Sequence, residues 1–405
     1  MKKFSLLTLS LFSFFHCFSQ DSIFSVCENC WDADSLGNHR AVVQVNSKSD
    51  VVKVTIPWRR RDVKPEAKDI LVQTETGKLI SNVSRGLINR EVGEIFFEPI
   101  EGAGKYYVYY LKHVTVGRSN YPTVNYPPFQ SNANDEWLKK LKSATTAQVI
   151  SIQSIDELNS FYPMEVIATQ EELKALKAKS NGSYMVFPED RMHPIKMLHD
   201  VPYRWIERGV PTSFSDQAAR GENFAYQLGV YASNKVVNNV VIEFSDLKSK
   251  SGDVISKEVM SCLNTSGIGW DGKPFKKIVN IAKGDVQALW CMINIPDETR
   301  AGTYIGSIKV NIDDNEPTNV SIQLKIKDEV LTDGGVSEPW KQTRLTWLNS
   351  TLGTGDEVIA PYIPLELKNQ TISFLGRSIT LDGYGLPGQI TSFFDRKMTS
   401  IIDRK

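Results

Sequence analysis

The sequence lacks an excess of charge of either sign. Its 405 residues contain 47 lysines and arginines against 47 aspartates and glutamates, so the formal net charge at pH 7 is zero. Nucleic acids and anionic membrane surfaces attract proteins with a basic excess. The balance therefore argues against nucleic acid as a partner. The hydrophobic content of 41% is typical of globular domains.

Long apolar runs are missing except at the amino terminus. Two lysines precede the apolar stretch 4–15, and Cys17 and Ser19 offer the small residues of a cleavage site. The stretch is shorter than the roughly 20 residues that span a bilayer. We predict an export signal at residues 1–19, with a mature protein that is periplasmic, cell-surface or secreted in a bacterium and has no transmembrane segment. Lipid attachment at Cys17 is the alternative, although His16 departs from the pattern that it favours.

Cysteine is scarce, and four cysteines remain after cleavage. Cys27 and Cys30 form a C-x-x-C in a loop-like stretch, whereas a redox motif would open a helix and a zinc site would need a second ligand pair. Because exported proteins meet oxidising conditions, we predict a local disulfide. Cys262 and Cys291 follow or occupy apolar runs, which leaves two buried thiols or a cross-strand disulfide as interpretations.

Residues from about 40 to 115 have the composition of β-structure. Their apolar runs are rich in β-branched and aromatic residues and are separated by glycines. These runs cover residues 51–58, 69–80, 94–100 and 105–111. We predict an N-terminal β-sandwich domain over residues 20–125.

The composition differs in residues 126–210, where we predict a connecting segment of helices and loops. Asn134 is a candidate helix cap, and Ser154 and Thr169 each have a glutamate three residues later. This spacing is the signature of a capping box and predicts helices after both residues.

Alternation of polar and apolar residues returns in a second predicted sandwich domain, residues 211–332. Ile308, Val310 and Ile312 share one face of a run whose other face is polar. Half-polar strands joined by short turns indicate an antiparallel sandwich, because parallel strands would need crossover helices.

We predict that residues 333–405 form the first part of a further β domain. Short strands are predicted at 371–375 and 378–381, and we expect the natural polypeptide to continue beyond Lys405. The predicted fold class is mainly β, with tandem antiparallel β-sandwich domains of immunoglobulin-like or jelly-roll type. A short helical segment separates them, and the chain contains no strand–helix alternation of the length that a TIM barrel requires.

Motifs for nucleophilic catalysis and phosphate binding are absent, since neither G-x-S-x-G nor a phosphate loop occurs. The densest polar cluster lies in residues 187–200 and comprises Glu189, Asp190, Arg191, His193, His199 and Asp200. One interpretation is an active site in which these residues provide an acid, a base and a charged group that holds the substrate. The other is a loop that packs on its neighbour through ion pairs. The two histidines are not at a common zinc spacing. We favour the packing interpretation and assign no catalytic, cofactor-binding or metal-binding residue.

Tryptophan provides a second kind of candidate, because indole rings stack on the C–H faces of sugars. Core and domain-junction positions are the simpler interpretation for most of them, given their apolar neighbours. The tryptophans in question are Trp58, Trp205, Trp270, Trp340 and Trp347.

Several short stretches in order resemble the N-terminal region of bacterial proteins related to glycoside hydrolase family 123. They include "PWRRRD" (57–62), "YYVYYL" (106–111), "FPEDRMHPI" (187–195), "ENFAYQLGVYA" (222–232), "VQALWCMINIP" (286–296), "AGTYIGSIKV" (301–310), "RLTWLNSTLG" (344–353) and "GLPGQITSFF" (385–394). The resemblance implies β-sandwiches ahead of a (β/α)8 catalytic barrel that releases N-acetylhexosamine. The family's catalytic Asp-Glu pair belongs to that barrel, so it is not carried onto any residue here, including Asp356 and Glu357.

Three functions are consistent with these observations. The leading one is an exported, non-catalytic accessory region of a glycoside hydrolase-like protein that acts on glycans, with its own C-terminal catalytic domain as partner. The alternative is a stand-alone secreted glycan-binding or adhesion protein. The third is a self-contained enzyme that uses the cluster at residues 187–200.

Overall fold

A computed structural model describes the protein over residues 23–179, 182–355, 357–397 and 399–401. The predicted signal at residues 1–19, with Cys17, lies outside the described residues. Two β-sandwiches follow one another along the chain, and a four-stranded sheet comes after them. The predicted mainly β fold of tandem sandwiches is therefore confirmed, and no sheet within the described ranges closes into a barrel.

The first sandwich and an adjoining hairpin contain eleven strands. They are β1 (Phe24–Val26), β2 (His39–Val45), β3 (Val52–Ile56), β4 (Ile70–Thr74), β5 (Val83–Ile88), β6 (Gly93–Phe97), β7 (Gly104–Tyr110), β8 (Val114–Arg118), β9 (Tyr121–Asn125), β10 (Thr145–Thr146) and β11 (Gln148–Ser154). One sheet has the order β1-β11-β2-β7-β4 and the facing sheet β10-β3-β6-β5, while β8 and β9 pair only with each other.

The core of this sandwich is built by the alternation seen in the sequence, since every second residue of a strand faces the opposite sheet. Val43, Val54 and Val108 are fully buried in it. Trp58 follows β3 and lies against the backbone of β6 at Gly93, where a Cβ atom would come within 2.3 Å of the indole ring. Gly93 is therefore required by close packing.

We expect Gly93→Ala to destabilise the first sandwich by about 1–3 kcal/mol, because the added methyl group overpacks a well-filled site. The free energy of unfolding from denaturant titration measures the effect. Gly383→Ala is the matched control, since no atom lies within 4 Å of the position a Cβ would take there. Equal stability of the two variants would contradict the proposed role of Gly93.

The first sandwich extends further along the chain than the predicted boundary at residue 125. β11 pairs with β2 in antiparallel fashion inside the five-stranded sheet, so residues 148–154 belong to the sandwich and not to a connecting segment. The helix predicted after Ser154 is wrong. Ser154 Oγ donates to the carbonyl of Asp156, and the Asp156 carboxylate accepts from the Asn159 amide. These local bonds stabilise turns in place of a helix.

Helices are few and short. They are α1 (Ala33–Leu36), α2 (Asp135–Leu138), α3 (Gln170–Ala178) and α4 (Tyr203–Arg208). The predicted caps at Asn134 and Thr169 are confirmed, and Thr169 forms a complete capping box with Glu172. Within the described part of the chain, no helix combines the length and the apolar character needed to cross a membrane.

The second sandwich comprises the next twelve strands. They are β12 (Met185–Glu189), β13 (Ser213–Arg220), β14 (Asn223–Tyr231), β15 (Val241–Phe244), β16 (Leu247–Ser249), β17 (Val254–Ile255), β18 (Met260–Cys262), β19 (Ser266–Ile268), β20 (Pro274–Lys276), β21 (Val286–Asn294), β22 (Gly302–Asn311) and β23 (Thr318–Val330). One sheet has the order β12-β14-β21-β18. The other has β13-β23-β22-β16-β17, with β15 also paired to β22, and β19 and β20 form a hairpin.

This sandwich begins earlier than the predicted residue 211, because β12 pairs with β14. The segment 185–189 is apolar and short, and only its partner strand distinguishes it from a buried loop. Most ladders are antiparallel as predicted, but β13 pairs with β23 in parallel. Parallel neighbours need a long connection, because the chain must return to the same end of the sheet before the second strand begins. About a hundred residues of the sandwich lie between β13 and β23 and provide this connection.

The remaining described residues hold two 3₁₀ segments, Pro339–Lys341 and Thr343–Asn349, and a small sheet. Its strands are β24 (Glu366–Lys368), β25 (Thr371–Phe374), β26 (Arg377–Leu381) and β27 (Pro387–Ser392), paired in chain order. The two strands predicted here are present, and both find neighbours within this sheet.

Candidate functional site

The polar cluster at residues 187–200 begins where β12 meets α4. Glu189 is fully buried at the end of the strand. Its Oε1 accepts hydrogen bonds from Trp205 Nε1 at 2.9 Å and from Arg208 Nη1 at 2.6 Å, and Arg204 Nε lies 3.3 Å away. Two guanidinium groups therefore neutralise this carboxylate and fix α4 on the sheet.

Asp190 and His193 complete the compact part of the cluster. The His193 Nδ1 atom lies 2.8 Å from Asp190, and one ligand atom from each of these residues and Glu189 fall within 4.8 Å of one another. A cation here would lie close to the Arg204 and Arg208 guanidinium groups, which face Glu189 Oε1 and Asp190 Oδ2, although the buried Glu189 Oε2 has no hydrogen-bond partner in the described part of the chain. Their positive charges oppose it, so this geometry favours an ion-pair network that joins strand and helix.

The other residues of the cluster contact different parts of the fold. Arg191 contacts Glu222, and His199 pairs with Asp285 at the surface. Asp200 accepts two bonds from Arg90 of the first sandwich, at 2.6 and 3.0 Å. Proximity in sequence therefore does not produce a single pocket here, and the packing interpretation fits each partner set.

The cysteines occupy two different settings. Cys27 and Cys30 are joined by a disulfide with a Cα–Cα distance of 5.6 Å. Cys262 and Cys291 are free and buried, directly opposite each other on β18 and β21. The Leu263 amide donates to the carbonyl of Trp290, which makes the cysteines a non-hydrogen-bonded pair, the arrangement that brings facing side chains closest. Burial raises the pKa of the Cys291 thiol.

The five candidate tryptophans divide into two groups. Trp58 and Trp205 are core residues, as the sequence predicts. Trp270 is completely exposed in the turn between β19 and β20, while Trp340 and Trp347 are about half exposed. The core interpretation is therefore wrong for Trp270, while the domain-junction interpretation stays a prediction for Trp340, whose ring lies 5.3 Å from Arg191, and for Trp347. Trp270 therefore offers an open indole face.

A cleft of about 400 Å³ lies at one end of the first sandwich, and the sequence analysis does not predict a site there. The end of β7, the start of β2, the loop after β3 and the segment 158–166 meet there. The residues that matter for its chemistry are His39, Trp58, Arg59, Arg60, Arg61, Asp62, Tyr110, Asn159, Phe161 and Glu165.

The floor of this cleft, defined by His39, Arg60 and Tyr110, carries three unpaired polar atoms. His39 Nδ1, Arg60 Nη1 and Tyr110 Oη are buried and have no hydrogen-bond partner among the described residues. Burial lowers the pKa of His39, so its imidazole is neutral near pH 7. The Nε2 atom lies 2.8 Å from the Asn159 carbonyl and must carry the proton, which leaves Nδ1 as an acceptor. Burial raises the pKa of the Tyr110 hydroxyl, which stays protonated.

Ion pairs neutralise the three consecutive arginines around the cleft. Arg59 forms a bidentate pair with Glu172 at 2.7 Å for both contacts, and Arg61 pairs with Glu165 at 2.6 Å. Arg60 donates to both oxygens of Asp62, which also contacts Lys68. The cleft therefore has little excess of positive charge despite its arginines.

Asp62 gives this end of the sandwich a pH dependence. Its burial favours the protonated form, but the hydrogen bonds and charges of Arg60 and Lys68 outweigh that effect and lower the pKa. As the pH falls, the unfolded chain takes up the proton first, so the stabilisation is complete above about pH 4 and is lost as the pH falls through the lowered pKa.

We expect Asp62→Asn to be less stable than the wild type at neutral pH, with a difference that shrinks below about pH 4. Denaturant titrations at a series of pH values measure it. Asp69→Asn is the contrasting variant in the same sandwich, since burial raises the pKa of Asp69 and its contribution has the opposite sign. A gap between wild type and Asp62→Asn that widens in acid would contradict the assignment.

In the described residues the chain is a tandem β-sandwich protein, and two parts of it match domain models of one protein family. Residues 29–155 match "Glycoside hydrolase 123, N-terminal domain". Residues 365–405 match "Glycoside hydrolase 123, third domain". The predicted resemblance is confirmed, and the amino-terminal part is a glycoside hydrolase 123-like N-terminal region. The three floor residues of the cleft lie within the first match, whereas the cleft-lining segment 158–166 lies outside it.

Solved structures are similar to portions of the chain. A family 123 glycoside hydrolase from Clostridium perfringens, studied for glycolipid glycan hydrolysis, is 20% identical, with 36% of this chain and 28% of that chain covered and a TM-score of 0.30. The fimbrial subunit MyfA of Yersinia enterocolitica, in complex with galactose, is 17% identical over 28% of this chain and 93% of its own, with a TM-score of 0.20. The chain thus spans less than a third of the family 123 structure. No curated protein sequence matches it.

Proposed function

We propose that the chain is an exported, non-catalytic region of a glycoside hydrolase-like protein that acts on glycans, with N-acetylhexosamine-containing glycans as the first class to test. The observation that carries this proposal is the pair of family matches at residues 29–155 and 365–405. They fall on the first sandwich and on the small sheet, and both matched models describe domains of glycoside hydrolase 123.

The candidate carboxylates support a non-catalytic role. In most glycosidases two carboxyl groups flank the scissile bond, about 5–9.5 Å apart, in a site open to the sugar. Glu189 is fully buried with one oxygen on three donors, and Asp190 is engaged by His193. The buried Glu189 carboxylate is therefore not accessible to a sugar.

The surface near the third-domain match supports a further domain as partner. Large apolar side chains are exposed throughout this section, and such patches mark surfaces that another domain or protein covers. The most exposed are Leu352, Tyr362, Leu365, Leu367 and Tyr384. We infer that a catalytic domain on the same polypeptide covers them, which is the arrangement that the family resemblance implies.

The mass of the mature protein from its native source tests the proposal, together with hydrolysis assays. A product well above the 45.6 kDa of this chain, active on aryl N-acetyl-β-hexosaminides, is expected, while the chain itself shows no turnover. Sequencing of the mature amino terminus should find cleavage near Ser19. Turnover by the purified chain alone would overturn the non-catalytic assignment.

A stand-alone glycan-binding protein is the second candidate, and the cleft at the end of the first sandwich favours it. A mature product that ends at Lys405 and binds on a glycan array would establish this function. If the array shows no binding and the native product is longer and hydrolytically active, the accessory role is supported instead.

A further inference from the structure

We propose that the cleft at the end of the first sandwich binds one neutral, polyhydroxylated ring, such as a single monosaccharide unit. The inference deepens the proposed function and rests on it for the choice of a sugar as ligand. The location of the site, however, follows from the polar atoms and charges of this chain alone.

The first argument is the chemistry of the cleft floor. A buried polar atom without a partner costs about 1–3 kcal/mol, so three of them at one place call for a ligand group or ordered water. The three side chains adjoin one another, since the centres of the His39 and Tyr110 rings are 6.0 Å apart and Arg60 Cζ lies 5.2 Å from the Tyr110 ring centre. Together they offer an acceptor, a charged donor and a hydroxyl that can do either.

This combination selects hydroxyl groups over ions. An anion would be repelled by the acceptor lone pair of His39 Nδ1, and a cation by the guanidinium of Arg60. A sugar carries adjacent hydroxyl groups, each of which can donate to His39 and accept from Arg60 or Tyr110. The surrounding ion pairs leave little net charge to attract phosphate or carboxylate.

The second argument is the shape of the cleft. Its volume of about 400 Å³ lies at the lower end of the roughly 300–1,000 Å³ range of ligand sites, which suits one ring better than an extended chain. Phe161 lies 4.9 Å from the His39 ring and provides an apolar face beside the polar floor. An aromatic face next to fixed polar groups suits a ring with one apolar and one hydroxylated side.

The segment 158–162 covers the floor and sets how a ligand reaches it. Asn159 holds this segment through its carbonyl to His39 and through its side chain to Asn38 Nδ2 at 2.9 Å. Leu158 beside it is 94% exposed, whereas Phe161 packs on the core of the first sandwich and lies 4.7 Å from the Phe24 ring. Because the three floor atoms are shielded from solvent, we expect side chains that line the cleft to shift when a ligand binds.

Tyr110→Phe is the variant that tests the site, because it removes one floor atom and keeps the ring. Calorimetric titration of the full chain with galactose, glucose, N-acetylgalactosamine and N-acetylglucosamine, and with inorganic phosphate as the anionic probe, gives the affinities. We expect at least one of these sugars to bind and its affinity to fall about 5- to 10-fold in Tyr110→Phe, the loss of one hydrogen bond.

Tyr226→Phe is the matched control, since its hydroxyl is also buried without a hydrogen-bond partner, but in the core of the second sandwich. It should bind the sugar as the wild type does, and unfolding experiments should show that both variants fold. Absence of sugar binding, phosphate binding in place of sugar, or equal sugar affinity in Tyr110→Phe and wild type would each overturn the proposal. Ordered water is then the partner of the floor atoms.

The proposed function and this inference can fail separately. If the protein binds glycans and Tyr110→Phe does not change the affinity, the binding site lies outside the cleft. The glycan-related function is then still supported. Sugar binding in the cleft, combined with a native product that ends at Lys405, would support the site and remove the accessory role.

Discussion

Replacement of Glu222 by alanine is expected to destabilise the second sandwich by about 3–5 kcal/mol, the range for removing one partner of a buried ion pair. Glu222 is almost completely buried and contacts Arg191, and it accepts from the Ala219 amide at 2.8 Å. Lys341 lies 3.9 Å from the same carboxylate. The variant leaves the buried Arg191 guanidinium without its counterion, although the carbonyl of Gln217 still accepts one bond.

The loss should also loosen the chain that follows the sandwich. Arg191 lies 5.3 Å from the Trp340 ring, so Glu222, Arg191 and Lys341 together hold the first 3₁₀ segment on the sandwich. Denaturant titration measures the stability, and hydrogen exchange of residues 339–349 reports the loosening. Asp328→Ala is the control, because Asp328 is a largely exposed partner of Arg220 and should change stability by less than about 1 kcal/mol. A similar small change for both variants would contradict the role of Glu222.

Replacement of Trp205 by alanine is expected to cost about 3–5 kcal/mol, the range for removing a large aromatic side chain from a core. Trp205 is fully buried, stacks on Phe187 with ring centres 4.1 Å apart, and lies against the backbone at Gly229. Its Nε1 also donates to Glu189. The variant therefore creates a cavity and removes one donor from a buried carboxylate, and both changes act in the same direction.

Trp205→Phe separates the two contributions, since it retains most of the ring and loses the indole donor. We expect a smaller loss than for alanine, of about 1–3 kcal/mol, from the carboxylate's lost hydrogen bond and from imperfect packing. Trp270→Ala is the matched control, because its side chain is fully exposed, and should lie within about 0.5 kcal/mol of the wild type. Thermal and denaturant unfolding measure all three. A Trp205→Ala variant as stable as Trp270→Ala would show that α4 does not depend on this side chain.

Two tryptophans illustrate how far sequence reasoning reaches. Apolar neighbours predict that Trp58 and Trp205 are core residues, and the structure places each against a strand glycine, Gly93 and Gly229. The same reasoning fails for Trp270, which is fully exposed at a hairpin turn. Flanking residues report the local pattern, whereas exposure depends on whether another element covers the position.

The polar residues show the same division. In the sequence, four polar residues lie next to one another: Glu189, Asp190, Arg191 and His193. Only the fold shows that Arg191 pairs with Glu222. It also shows that Arg204 and Arg208 form ion pairs with the Glu189 carboxylate. The cleft had one signal in the sequence, the three consecutive arginines at 59–61. It could not identify the floor, because His39 and Tyr110 come from strands far apart along the chain.

The sequence by itself determined the mainly β class, the helix caps at Asn134 and Thr169 and the resemblance to glycoside hydrolase 123, since alternation, capping and motif order are properties of neighbouring residues. Tertiary structure alone decided where each sandwich begins and ends, which carboxylates are neutralised and that His39, Arg60 and Tyr110 share a cleft floor. Those outcomes depend on strand pairing between residues tens of positions apart, and the residues next to a strand do not specify its partner.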